Sequence, residues 1–482
     1  MNASVATMPL GKVAERNERA DPQDYPDMPY IGLDDVEAHT MRLIGWKSAG
    51  NLKSSAKKFY KRDVLYSRLR PYLNKIWVAD RDGLCSSEFI VLPEQQDIDP
   101  KFLAYRINAR DFVAFANSLN SGDRPRVNFR QISPFGIPDF DVDEQRLIVE
   151  KIETLFSELD KGVESLKTAR QQLKAYRQAV LKHAFEGKIT EQWRQQNPEK
   201  LESPEQLLAR IQQEREQRYQ QKLEEWKQAV KAWKDNGEDG KKPGKPANPS
   251  KIKETSDNDL PRLPNSWIWV EYAGVCEQIR NGISAKPSGK NGIKILRISA
   301  VRAMEFDVND VRYLQDKEDQ YKDYFLSRGD LVFTRYNGTR DYVGVCAEYR
   351  GDGTHLFPDK LIQTRIAVPS ISTSYMEKAI NSSGSRKFME KRIRTTAGQS
   401  GISGGDVKRM PVPICCKDEQ VIIGQHLESE LSKIAALSQE IEEGLIKAEA
   451  LRQSILKKAF SGQLVNQISN EAGPAPSVKL TE

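Results

Sequence analysis

The segment from Asp143 to Gly187 is written twice in this chain, and no other feature restricts the fold as strongly. The first copy reads DEQRLIVEKIETLFSELDKGVESLKTARQQLKAYRQAVLKHAFEGK; the second, from Asp418, reads DEQVIIGQHLESELSKIAALSQEIEEGLIKAEALRQSILKKAFSGQ. Ile152, Leu159, Leu166, Leu173 and Val180 recur at every seventh position of the first copy, with Leu155, Ala169 and Tyr176 between them. Leu427, Ile434, Ile441, Ala448 and Ile455 keep the same beat in the second, joined by Leu437 and Leu451. A sustained seven-residue apolar period is the seam of a coiled coil, because it keeps one stripe facing a partner helix over many turns. Neither helix can bury its stripe alone, so the spacing predicts that the two cover each other in antiparallel order. Gly187 and Gly462 close them, glycine being the residue that best tolerates the left-handed conformation past a helix end. At ~1.5 Å per residue each helix spans roughly 65 Å, which reads as a spacer.

The remaining sequence divides around these helices. Residues 1–140 and 260–415 read as short β-type runs broken by turns, each with one helix, at Pro100–Ala116 and Ser374–Ile393. Both are α+β in pattern, and they look like diverged copies. Arg62-Asp63-Val64-Leu65-Tyr66-Ser67-Arg68 parallels Gly329-Asp330-Leu331-Val332-Phe333-Thr334-Arg335, and Ile137-Pro138 parallels Val412-Pro413. The repeat helices occupy 141–188 and 416–465. Between the first helix and the second globule, 189–259 reads as a charged amphipathic helix or helical hairpin that turns after Asn236 into Gly, Pro, Lys and Ser, a composition expected of a mobile linker. Residues 466–482 read as a disordered tail.

Composition narrows the chemistry. Five cysteines form no CxxC pair and only four histidines are present, which argues against a zinc site and a disulfide framework and for reduced thiols. The N-terminus lacks the apolar core of a signal peptide and no apolar run approaches a membrane span, so a soluble cytoplasmic chain is expected. Net charge is only +6, so what matters is where the basic residues gather. No phosphate loop, dinucleotide fingerprint, amino-methyltransferase motif or spaced nuclease carboxylates occur, and no constellation for catalysis or metal binding emerges.

The two DEQ…LKxAFxG helices, DVLYSRLRPYLNKIW from Asp63 to Trp77, DLVFTRYNGTRDYVGVCA from Asp330 to Ala347 and GQSGISGGDVKRMPVPI from Gly398 to Ile414 together resemble the specificity subunits of type I restriction-modification enzymes. The resemblance implies two target-recognition domains, each reading one half of a split site in double-stranded DNA, held apart by the antiparallel helices. It implies a non-catalytic subunit that docks two methylation subunits and motor-nuclease restriction subunits. S-adenosylmethionine, ATP and Mg would then sit on those partners, with no cofactor on this chain. One departure is that the N-terminus lacks the Leu-Pro-x-x-Trp-x-Trp opening that Leu263, Pro264, Trp267 and Trp269 supply to the second domain.

Candidate DNA contacts are arginine clusters with Asn, Gln and Tyr in loops. They are Arg68, Arg70, Arg124, Arg126, Asn128 and Arg130 in the first globule, and Arg335, Tyr336, Asn337, Arg340 and Tyr342 in the second. Arg386, Lys387, Lys391, Arg392 and Arg394 follow, with Gln399 and Ser400 beyond. Arginine forks suit guanine edges and phosphates, and Asn and Gln suit adenine. Taken singly, each of these arginines reads as a solvated or ion-paired surface residue, and Asp63 and Asp330 as turn formers. Only clusters at corresponding places in two copies carry the DNA reading. The paired helices alone would equally allow an assembly protein whose globules bind protein.

Overall fold

A computed structural model of the chain describes residues 5–464 apart from 53, 120–123, 239, 241, 250, 256–258, 316–317 and 397. Both repeat segments are continuous helices, Val142–Phe185 and Lys417–Phe460. Asp143 and Glu144, or Asp418 and Glu419, stand in the first turn and lysines in the last, matching the helix dipole at both ends. Past the first helix Gly187 adopts φ 71°, while its N–H bonds to Ala184 O and that of Lys188 to His183 O, so the last carbonyls are satisfied. The expected tail, 466–482, lies outside the described residues.

The chain forms two compact units, residues 1–169 with 439–482 and residues 170–438, and each contains part of both long helices. In the first unit a three-stranded sheet runs in the order Ile76–Val78, Val64–Ser67, Phe89–Leu92. A five-stranded sheet stands with it, in which Tyr30 and Ile31 pair parallel with Leu84 and Cys85. In the second unit Cys276–Asn281, Leu361–Ile366, Leu331–Thr334 and Cys346–Glu348 form a four-stranded sheet, and Lys294 and Ile295 pair parallel with His355 and Leu356. The common plan extends to the missing Trp-x-Trp opening. Thr7–Pro9 pairs antiparallel with Gly136–Pro138, as Ile268–Glu271 pairs with Pro411–Ile414.

Three expectations change. The helix expected over Pro100–Ala116 is two, Pro100–Asn108 and Arg110–Ser118, because Ala109 is extended (ψ 148°). That expected over Ser374–Ile393 is also two, Thr373–Ile380 and Ser383–Glu390. The break comes where the Asn381 amide turns to Cys346 O, 2.8 Å away, and Ser382 becomes extended. The expected linker is largely built into the second unit. Its helix, Pro204–Asp235, buries Leu207 and Ile211 in the core, Ile252 packs on the same core, and the Thr255 N–H bonds to Trp269 O at 3.0 Å.

The seam is antiparallel within each unit. In the first, Arg452 pairs with Asp160 and lies over the Phe156 ring (4.2 Å), while Leu166 faces Gly444. In the second, the Tyr176 hydroxyl donates to Glu430 and Thr190 to Glu419. Of the seam positions, Ile152, Leu427, Ile434 and Ile455 are buried, whereas Leu159, Leu166, Leu173, Val180 and Ile441 are half-buried. Three companions are wrong: Tyr176, Leu437 and Leu451 are 50%, 48% and 51% exposed. The true line alternates steps of four and three through Leu427, Leu431, Ile434, Ser438, Ile441, Leu445, Ala448, Arg452 and Ile455, so polar Ser438 and Arg452 hold places that the neighbouring leucines suggested. One residue turns a helix by about 100°, enough to carry a leucine out of the seam.

Candidate nucleic-acid interface

Both clusters begin at a buried aspartate. The Asp330 carboxylate accepts from the Ser327 N–H (2.7 Å) and from both arms of Arg365 (2.6 and 2.8 Å), just after Gly329 at φ 91°. Asp63 accepts from the Tyr60 N–H (2.9 Å), the Arg16 guanidinium (3.0 Å) and the Glu94 N–H (3.2 Å), just after Arg62 at φ 73°. These carboxylates start the central strand of each unit, Val64–Ser67 and Leu331–Thr334, and the strand delivers an arginine at its exit.

The exits share a backbone hydrogen bond. Arg68 O accepts from the Val127 N–H at 3.0 Å, and Arg335 O from the Ile402 N–H at 3.0 Å. Past these points Leu69 bridges to Arg126, while Tyr336–Asn337 pairs with Gln399–Gly401. The incoming strands then both cap a short helix: the Asn128 side chain accepts from the Gln131 N–H, and that of Ser403 from the Asp406 N–H. Asn128, read from sequence as a base contact, is therefore the structural counterpart of Ser403.

In the second unit the small sheet Tyr336–Asn337, Gln399–Gly401, Arg394–Thr396 gathers the predicted residues. Arg335 lies over the Tyr336 ring (4.7 Å) and donates to Asp359 O (3.0 Å). Gly401 leaves room for that ring, since a Cβ there would overlap its Cδ1 and Cε1 atoms. Arg394 and Gln399 are exposed along the sheet, while Ser400 is buried with its hydroxyl 2.9 Å from that of Thr395. Several cations serve the loops themselves. Arg340 donates to Glu390 O, Arg386 to Val343 O and Asp341 O, Arg392 stacks on Phe388, and Lys391 pairs with Asp259. The Tyr342 ring lies under Arg302.

In the first unit Arg70, Arg124 and Arg130 are exposed and Arg126 pairs with Glu88 at 2.9 Å. The Nε atoms of Arg68 and Arg335, at equivalent places, are both buried without a hydrogen-bond partner among the described residues. Sequence reasoning passed over Tyr72, which is 46% exposed in the turn after Arg70. The signal was there in Pro71, which fixes that turn at the strand exit. No group of three or more metal-ligating side chains occurs among the described residues, and none of their helices is long and apolar enough to cross a membrane.

The chain is thus a duplicated α+β protein, two units of one design that each place arginine, amide and aromatic groups where the central strand ends. No protein-family model matches the chain. It is similar to the type I restriction enzyme EcoKI specificity subunit of Escherichia coli (strain K12), 29% identical over 385 residues that span 78% of this chain and 68% of that protein. It is also similar to the EcoDI specificity subunit of Escherichia coli, 30% identical over 200 residues, 40% of this chain and 45% of that one. A solved structure from work on complex assembly and conformational transition of the type I R-M system shares the fold, with a TM-score of 0.64, 19% identity, and coverage of 95% of this chain and 98% of that one. Over most of its length the chain is thus similar to specificity subunits of type I restriction-modification enzymes.

Proposed function

We propose that this chain gives a type I restriction-modification complex its DNA sequence specificity, each unit reading one half of a bipartite target. The observation that carries this reading is the duplicated strand exit, with Arg68 and Arg335 in the same backbone hydrogen bond and exposed Arg70 and Arg394 beside them. Most contacts from such loops go to phosphates, and a few exposed arginine and amide groups go to base edges. The chain performs no chemistry. It docks two methylation subunits, which hold S-adenosylmethionine, and restriction subunits, which use ATP and Mg, in the cytoplasm. Leu147, Val421, Leu437, Ile446 and Leu451, exposed on the long helices, supply the apolar surface such docking needs.

Genome-wide mapping of methylated sites, in cells carrying the methylation subunits with and without this chain, tests the proposal. The expected result is a split sequence, two short specified halves around an unspecified gap, methylated only when the chain is present. Methylation unaffected by the chain, or a single continuous target, would overturn it.

A further inference from the structure

The segment after Asn236 is folded along its own helix. On that helix Tyr219, Leu223, Trp226, Val230 and Trp233, at steps of four and three, are half-buried. The returning chain lies against them: the Trp226 indole donates to Pro243 O (3.0 Å), that of Trp233 to Gly240 O (3.2 Å), and Lys242 approaches the Trp233 ring. Pro243, Pro246 and Pro249 are half-buried, while Gly244, Lys245, Ala247 and Asn248 between them are exposed. A three-residue beat is the period of a polyproline II helix. One edge of the return, the prolines, therefore faces the tryptophans. Lys242, Lys245 and Lys251, which share the beat offset by one residue, line another edge and are exposed. From Gly240 to Lys253 there is no acidic residue.

We propose that this helix and its proline return form a folded arm whose lysine edge grips the phosphate backbone of duplex DNA outside the bases that the two units read. The proposal rests on the DNA reading above and adds a binding surface to it. Lysine is a mobile point charge without the fork that reads a base edge, so a row of lysines on a stiff strand suits a repeating line of phosphates, independent of sequence.

The test is the full-length triple variant Lys242→Gln, Lys245→Gln, Lys251→Gln, binding a mixed-sequence duplex over a range of salt. The slope of log affinity against log salt should fall by about 0.9 for each phosphate the variant no longer neutralises, hence by about two to three, while the order of preference among target sequences stays that of the unaltered chain. An unchanged slope in the variant, with salt-dependent binding intact in the parent, would overturn the arm proposal alone. A parent without salt-dependent binding would overturn the DNA reading and the arm with it. Hydrogen exchange at the Trp226 indole N–H, followed by NMR, checks the fold of the arm: exchange should be slow in the parent and fast once Pro243, Pro246 and Pro249 are replaced by Ser. Equal rates would mean that the return is not folded, which also defeats the proposal.

Discussion

Gly401 lies against the Tyr336 ring, where even a methyl group would overlap it. Gly401→Ala must therefore displace the ring or the strand at the place where the second unit gathers its exposed polar groups; binding to target DNA is expected to weaken about tenfold, ~1.4 kcal/mol, with little change in Tm. Quantitative binding beside a melting curve separates the two effects. His355 gives a pH dependence. Its Nδ1 lies 2.7 Å from the Tyr349 hydroxyl and 3.4 Å from Asp352, and burial, the largest influence, holds its pKa below the usual histidine range. The folded protein thus binds this proton less readily than the unfolded chain. Stability from the neutral ring is present above the unfolded value near ~6.5 and is lost as pH falls from there toward the depressed folded value. Tm should decline as pH falls below about 6.5, and less steeply in His355→Gln. At this scale the sequence showed where cations cluster but not how they divide. Arg340 and Arg386 donate to carbonyls 43 to 53 positions away, pairings that exist only once the loops have closed.

The long helices were the most legible elements, because a seven-residue period repeated in two copies leaves little else to build. Their energetics were not. Leu456 is fully buried in the first unit's core, Leu166 is half-buried against Gly444, and Leu451 is half exposed. Leu456→Asp should cost about 3 to 5 kcal/mol, as an unpaired buried charge does. Leu166→Asp keeps access to water and should cost about 1 to 2 kcal/mol, and Leu451→Asp should stay within about 0.5 kcal/mol. Thermal denaturation of the three variants checks the order, and a Leu451→Asp protein that melts early would return that leucine to the seam. The misplaced companions have a simple cause: hydrophobicity marks a stripe, but where a stripe meets polar Ser438 or Arg452 the nearest leucine is a false guide. Arg452 holds its place through Asp160 and the Phe156 ring, partners that lie far away in sequence.

Across the whole chain, the repetition of two units was visible in short words such as Asp330-Leu331-Val332-Phe333, while the folded arm was not, since glycine, lysine and proline read as a linker unless the tryptophans that receive them are seen. The repetition also explains how a unit joins its helix. Gln145 is buried; its Oε1 accepts from the Asp99 N–H (2.8 Å) and its Nε2 donates to Phe140 O (2.8 Å) and Asp97 O (3.0 Å). Gln420 does the same in the second unit, accepting from the Ser372 N–H (3.0 Å) and donating to Cys415 O (2.9 Å). Asp99 and Ser372 are each the N-cap of the next helix, so one glutamine of the Asp-Glu-Gln word clamps a capping loop in both units. Because the clamp grips backbone groups, it asks for a capping loop of the right shape and not for particular side chains. Residues 5–140 should therefore be replaceable by the corresponding domain of a relative without rebuilding the junction. Such a chimera is expected to change one half of the methylated sequence, keep the other half, and melt within a few degrees of the parent. Gln145→Ala in the same chimera, leaving buried backbone groups unpaired, should cost about 1 to 3 kcal/mol. Methylation mapping that shows both halves altered by the exchange would mean that the two units do not read DNA separately.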